Sequence, residues 1–126
     1  MKIKKLTIGI KSLDQNMNEI LHVVKEAKQG RLPKAPIRGT YFVSVEAMLR
    51  VLTPKRLELL KLIREKHPIS VYQLAAMSHR HIKNVQEDIG LLHRIGLVSL
   101  NRQSHARSRT TPTVDYDQLR LHIPFT

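Results

Sequence analysis

The sequence predicts a mainly helical α+β domain in which two short helices joined by a tight turn precede a two-stranded hairpin. The first helix begins at Ser70 and ends before a polar break at 78–80. The second has apolar residues spaced three, four and three apart, which makes one buried stripe: Ile82, Val85, Ile89 and Leu92. Gly96 ends this helix and leads into a strand. This pattern is typical of a winged helix-turn-helix with a small antiparallel sheet.

An N-terminal strand-helix arm is expected to precede this module. Lys4 to Ile10 alternates weakly and predicts a strand, and a helix follows from a Ser12 cap to a stop at Gly30. Residues 30–39 contain two prolines and two glycines, which favours an extended linker. We therefore predict an arm and linker over 1–40 and a winged helix-turn-helix module over 41–126. The apolar stripe of the arm helix is Leu13, Met17, Ile20, Leu21 and Val24.

The remaining elements of the module have clear local signals. Ser44 begins a short helix that ends at Val51. Thr53, with Pro54 in the first helical position, begins a longer helix that stops before Pro68. Both are expected to pack against the two helices of the predicted helix-turn-helix.

The C-terminal part predicts the hairpin. Leu97 to Arg102 and Thr110 to Val114 have strand character. A polar, acid-free loop over 103–109 joins them and forms the predicted wing tip. Residues 116–123 have the pattern of one more strand.

Composition limits the function. The 126 residues carry a formal net charge of +12, which favours a polyanionic partner because each neutralised phosphate releases counterions. The absence of cysteine excludes disulfides and cysteine nucleophiles and fits a reducing cytoplasm. No apolar run is long enough for a signal peptide or a membrane span of about 18 residues. The five aromatic residues form no stacking platform for single strands, so duplex DNA is the expected target.

The second helix of the motif carries the candidate base-reading residues. Its polar side is slender enough to enter a major groove. Amide side chains match the edge of adenine, lysine can donate to guanine, and glutamate can accept from cytosine. A charged helix surface that is merely solvated is the alternative. The predicted base-reading residues are Lys83, Asn84, Gln86 and Glu87.

Three further groups are candidates for contacts to the DNA backbone. The first lies at a helix N-terminus, where free N–H groups suit a phosphate. The second lies in the turn before the base-reading helix, and the third lies in the basic loop of the wing, where arginines meet negative potential. A basic hairpin in solvent is the alternative for the third group. The predicted contacts are Ser70, Tyr72, Gln73, His79, Arg80, His81, Arg107 and Arg109.

No catalytic or metal site is predicted. His79 and His81, two apart at a helix start, do not share a face, and His105 lacks nearby acids with ligand spacing. Glu87 and Asp88 are adjacent and therefore point about 100° apart on a helix. We expect neither an enzyme nor a bound cofactor.

Three segments carry a resemblance to known families. Residues 52–98, LTPKRLELLKLIREKHPISVYQLAAMSHRHIKNVQEDIGLLHRIGLV, resemble the winged helix-turn-helix of MarR-like prokaryotic regulators. With FVSVEAMLRVLTPKRLELL before and TPTVDYDQLRLHIPF after, the chain is similar over about 40–125 to small putative DNA-binding proteins of archaea and bacteria that are often encoded beside a toxin. The resemblance implies sequence-specific DNA binding by an autoregulating repressor and antitoxin, and a cognate toxin as partner. Glu87 departs from that family, which is often basic at this position.

Two other functions compete with this one. In the first, the protein is a protein-interaction module that neutralises a partner without binding DNA. In the second, it is a basic ribosome- or RNA-associated protein. For the DNA-binding hypothesis we expect a twofold dimer formed by the arm helix, because one recognition helix covers too few base pairs to select a promoter. The arm helix folding back on its own domain is the alternative to that dimer.

Overall fold

The computed structural model describes residues 3–11, 17–18, 21–22, 24–25, 28–30, 40–102 and 109–125. These residues form an α+β fold. Its helices are α1 (Val45–Val51), α2 (Pro54–Lys66), α3 (Val71–Ser78) and α4 (Ile82–Arg94), and the described residues between 17 and 28 are also helical. Its strands are β1 (Lys5–Ile10), β2 (Thr40–Phe42), β3 (Ser99–Arg102), β4 (Thr110–Thr113) and β5 (Gln118–His122).

Side-chain caps begin three of the helices, as the sequence predicts. The hydroxyl of Ser44 accepts from the Ala47 N–H at 3.1 Å. The Ser70 hydroxyl accepts from the Gln73 N–H at 3.0 Å. The Gln73 amide oxygen accepts from the Ile69 N–H at 2.7 Å. This hydrogen bond joins the residue before the cap to the first turn of α3.

The two sheets differ in strand direction. The sequence predicts the antiparallel pair, and β3 and β4 form it, with Arg102 opposite Thr110. The other sheet was not predicted. It has the order β2-β1-β5, and both neighbours run parallel to β1. Ile8 at its centre is fully buried. The N-terminal strand therefore belongs to the main core rather than to a separate arm.

The core lies between the helices and both sheets. Its fully buried side chains include Leu59 and Ile63 of α2, Leu74 of α3 and Leu92 of α4. Burying side chains of this size contributes about 1.5 to 3 kcal/mol each before the entropy cost of folding is subtracted. The same core contains Ile8. Helix α4 is thus fixed to the body of the protein along its whole apolar face.

Two hydrogen bonds tie the hairpin and the segment after it to the rest of the fold. The Thr111 hydroxyl donates to the Ile69 carbonyl at 2.7 Å. The Tyr116 hydroxyl donates to the Leu97 carbonyl at 2.8 Å. Burial raises the pKa of Tyr116, and the charge of Asp115 adds to this, so the phenol stays protonated as a donor. The base of the hairpin is consequently held beside the N-terminus of α3.

Several predicted features lie outside the described residues. They include Leu13 and Ile20 of the arm stripe, linker residues 31–39, and loop residues 103–108 with Arg107 and His105. The other three residues of the arm stripe are described, and their side chains are exposed: Met17 by 57 %, Leu21 by 60 % and Val24 by 44 %.

Candidate nucleic-acid interface

Helix α4 has a buried face and an outer face. The buried residues are Val85, Asp88, Ile89 and Leu92. Three residues of the predicted apolar stripe are thus buried, and the fourth, Ile82, is half-buried against the same core. Four other residues of α4, spaced four, three and four apart, lie on the opposite side of the helix. We call this set the outer face: Lys83, Glu87, Gly90 and Arg94.

The four predicted base-reading residues are exposed but do not share one side of the helix. Lys83 and Glu87 lie on the outer face. Asn84 and Gln86 are two residues apart, which separates their directions by about 160° around the helix axis. They therefore lie on opposite flanks of α4, and Gln86 is the one that borders α3 and the hairpin.

A groove of about 640 Å³ lies between α3, α4 and the hairpin. We call it the α3–α4–hairpin groove. It brings together four residues that the sequence singles out, although they come from three different elements. Its lining residues are Ser70, Val71, Tyr72, Gln86, Ile89, Gly90, Leu100, Arg109 and Thr110.

The walls of this groove combine charge and hydrogen-bonding groups. Arg109 is exposed beside β4. Tyr72 is 68 % exposed and extends the opposite wall from the first turn of α3. Gln86 contributes an amide from α4. Ser70 and Gln73 serve the local structure through the cap described above, so their side chains position the first turn of α3.

The other flank of α4 holds a cluster of opposite charges that we call the Asp88 cluster. Arg56 Nε donates to Asp88 Oδ1 at 3.0 Å, and Arg80 Nη2 donates to Asp88 Oδ2 at 2.7 Å. The Asp88 side chain is only 13 % exposed. Arg56 Nη1 also donates to the carbonyls of Arg50 and Val51.

This cluster changes the interpretation of Arg80. The sequence predicts a contact between Arg80 and the DNA backbone, yet its guanidinium faces inward and binds Asp88. Its Nη1 atom is buried and has no hydrogen-bond partner among the described residues. We therefore assign Arg80 to the fold and remove it from the interface.

The two histidines of the turn also have local roles. His79 ends α3 in the left-handed conformation with φ of 55°, and its N–H donates to the Ala76 carbonyl at 3.2 Å. His81 begins α4, and its Nδ1 accepts from the Lys83 N–H at 3.2 Å. Both histidines are exposed. In the described part of the chain, no group of three or more metal-ligating side chains comes together.

Sequence reasoning missed one residue of the outer face. Arg94 is exposed in the last turn of α4 and lies eleven residues after Lys83 on the same side. The regular spacing of 83, 87, 90 and 94 was the signal that could have identified it. Arg94 adds a cation to a face on which Glu87 is the only acid.

Comparison with known proteins identifies one family. The family model HVO_A0114 matches residues 51–121, more than half of the chain. The matched region runs from the end of α1 into β5 and so includes every residue that lines the α3–α4–hairpin groove. No curated protein matches the chain. Within the described residues, no helix has the length and apolar character needed to cross a membrane.

Proposed function

The chain belongs to the HVO_A0114 family, and we propose that it is a winged helix-turn-helix protein that binds duplex DNA and recognises its sequence. One observation carries the proposal: Gln86 and Gly90 of α4 border a groove that is also lined by the hairpin and Arg109. The helix is rigid because its opposite face is buried in the core. A rigid, slender and polar helix beside a basic hairpin suits a major groove and an adjacent phosphate backbone.

In this proposal the outer face enters the major groove. Lys83 and Arg94 donate to guanine or to phosphate, and Gln86 pairs with an adenine edge from the groove flank. Arg109 contacts the backbone on the hairpin side. Asn84, on the flank of the Asp88 cluster, has a smaller role than the sequence alone suggests.

Electrostatics supports DNA as the partner. Between 66 and 114 the only acids are Glu87 and Asp88, and Asp88 is neutralised by Arg56 and Arg80. The surface around α4 therefore has an excess of positive charge, and every phosphate contact adds affinity that falls as salt rises.

The biological role follows from the resemblance to regulators encoded beside toxins. We propose that the protein represses its own operon as an antitoxin and that it binds DNA as a twofold dimer. Two symmetric copies of α4 would read half-sites about 10 base pairs apart. The exposed apolar residues Met17, Leu21 and Val24 are the proposed dimer contacts.

The dimer can be tested with a matched pair of leucines. Leu21 and Leu49 are 60 % and 61 % exposed on different helical segments. Sedimentation should show a natural dimer that Leu21→Ser weakens and Leu49→Ser leaves intact. A monomeric natural chain, or equal effects of both substitutions, would contradict this dimer.

Selection from random duplexes of about 30 base pairs tests the main proposal. We expect the purified protein to enrich one sequence and to bind it at least about tenfold more tightly than a shuffled duplex. Affinity for both should fall steeply between about 50 and 200 mM salt. Failure to enrich any sequence would overturn sequence recognition, and failure to bind any duplex would overturn the DNA proposal.

The same exposed apolar residues, Met17, Leu21 and Val24, favour a second candidate, the protein-interaction module. In that case the arm helix binds a toxin and the outer face of α4 stays in solvent. Co-purification with the product of the neighbouring reading frame distinguishes the two functions. A complex that forms, together with a chain that binds no duplex, would favour the module.

A further inference from the structure

Glycine is an unusual residue at position 90, in the middle of α4. It lies in the middle of the outer face, with Glu87 before it and Arg94 after it, and it borders the α3–α4–hairpin groove. Glycine within a helix destabilises the fold relative to alanine, because glycine loses more conformational entropy when the chain folds. A helix position of this kind needs a reason for glycine.

The other described glycines differ from Gly90 in this respect. A Cβ on Gly9 would lie 2.8 Å from two ring atoms of Tyr41, so packing requires glycine there. Gly30 and Gly96 have φ of 76° and 87°, a conformation that side chains disfavour. Gly90 has neither reason: its φ is not positive, and a Cβ would meet no described atom within 4 Å.

Nothing within the described fold requires glycine at position 90, and the groove beside it is open. We propose that Gly90 is the point of closest approach between α4 and the floor of the DNA major groove, where base edges contact the helix backbone. This inference rests on the proposed function and adds a specificity-determining residue to it.

The location of Gly90 fits close approach. Lys83 and Arg94 lie on the same face on either side of it, and their long side chains reach bases or phosphates at the two ends of the contact. In the centre, a bare backbone lets the helix sit deeper between the phosphate strands. A side chain at position 90 would push α4 away from the bases and lengthen every hydrogen bond made by Gln86.

Substitution should therefore separate folding from recognition. Gly90→Ala should raise the melting temperature by about 2 to 5 °C, since alanine favours helix and meets no neighbour. The same substitution should weaken binding to the selected duplex by about tenfold, and Gly90→Leu should weaken it further. Binding to a shuffled duplex should change little, because phosphate contacts tolerate a small displacement of the helix.

The experiment measures melting temperature and duplex affinity for the natural chain, Gly90→Ala, Gly90→Leu and the control Glu65→Ala. Glu65 is exposed on α2, outside the groove, so its substitution should leave specific binding unchanged. If both Gly90 variants are stably folded and bind the selected duplex as tightly as the natural chain, the role of Gly90 is overturned and the proposed function stands. If the natural chain binds no duplex, the proposed function fails and the role of Gly90 fails with it. Equal losses on selected and shuffled duplexes would likewise refute close approach to the bases.

Discussion

The two flanks of helix α4 are bordered by arginines in different settings. On one flank, Arg56 and Arg80 are bound to the carboxylate of Asp88 within the fold. On the other flank, Arg109 makes no hydrogen bond or ion pair with the described residues and borders an open groove with Gln86. An arginine beside a buried carboxylate stabilises the protein, and an arginine without one remains available to a polyanion. The position of a single aspartate therefore decides which of these arginines are paired within the fold.

The largest effect is expected from removing that aspartate. Asp88→Ala leaves two arginines without their carboxylate in a mostly buried site, so the free energy of unfolding should fall by about 3 kcal/mol. Urea denaturation measures this loss. The neighbouring exposed acid provides a control: Glu87→Ala should change stability by less than about 0.5 kcal/mol. Similar small effects of both substitutions would show that the cluster does not stabilise the fold.

The next effect compares the amides of the two flanks. Gln86→Ala should weaken binding to the selected duplex by about 1 to 3 kcal/mol and binding to a shuffled duplex much less. Asn84→Ala should cost clearly less on the selected duplex, because Asn84 points about 160° away from Gln86. Fluorescence anisotropy of labelled duplexes measures all four affinities. A larger loss for Asn84 would place the interface on the opposite flank.

A smaller effect compares three arginines. Arg109→Ala should reduce the slope of log affinity against log salt by about 0.9, the value expected for one lost phosphate contact. Arg120→Ala, an exposed arginine on β5, should leave the slope unchanged. Arg80→Ala should lower stability without changing the slope at a temperature where it remains folded. A reduced slope for Arg80→Ala would return this residue to the interface.

The smallest effect is expected from the partly exposed ion pair between Arg64 and Asp117. The Lys4 backbone N–H and the Arg64 guanidinium lower the pKa of Asp117 from its usual value, so this carboxylate stabilises the fold while it is charged. That stabilisation is present above about pH 4 and is lost as the pH falls through the lowered pKa. Asp117→Asn should therefore melt below the natural chain at about pH 6, and the difference should shrink towards about pH 3. A difference that is the same at both pH values would contradict this assignment.

Local patterns predicted much of the module. The spacing of Ile82, Val85, Ile89 and Leu92 gave the buried face of α4, and the caps at Ser44, Thr53 and Ser70 gave three helix starts. Caps depend on hydrogen bonds between near neighbours, and a buried helix face depends on apolar residues at helical spacing, so short segments contain the signal.

Contacts between distant residues were not predictable in the same way. The pairing of β1 with β5 joins segments at opposite ends of the chain, and nothing in either segment specifies the other. The role of Arg80 depends on Asp88, which lies eight residues later and faces inward with the apolar stripe. Position 88 lies three residues after Val85 and four before Leu92, so helical spacing was a signal that could have identified the buried charge, but not its partner.

The central claim is that the outer face of α4 contacts duplex DNA, and two lysines of similar setting test it most directly. Lys83 and Lys61 are both exposed on 13-residue helices, but only Lys83 lies on the outer face. The measurement is the dependence of duplex affinity on salt for the natural chain, Lys83→Ala and Lys61→Ala. We predict that Lys83→Ala reduces the slope by about 0.9 and weakens binding, whereas Lys61→Ala reproduces the natural slope. Equal slopes for all three proteins, or a change for Lys61→Ala alone, would contradict the claim.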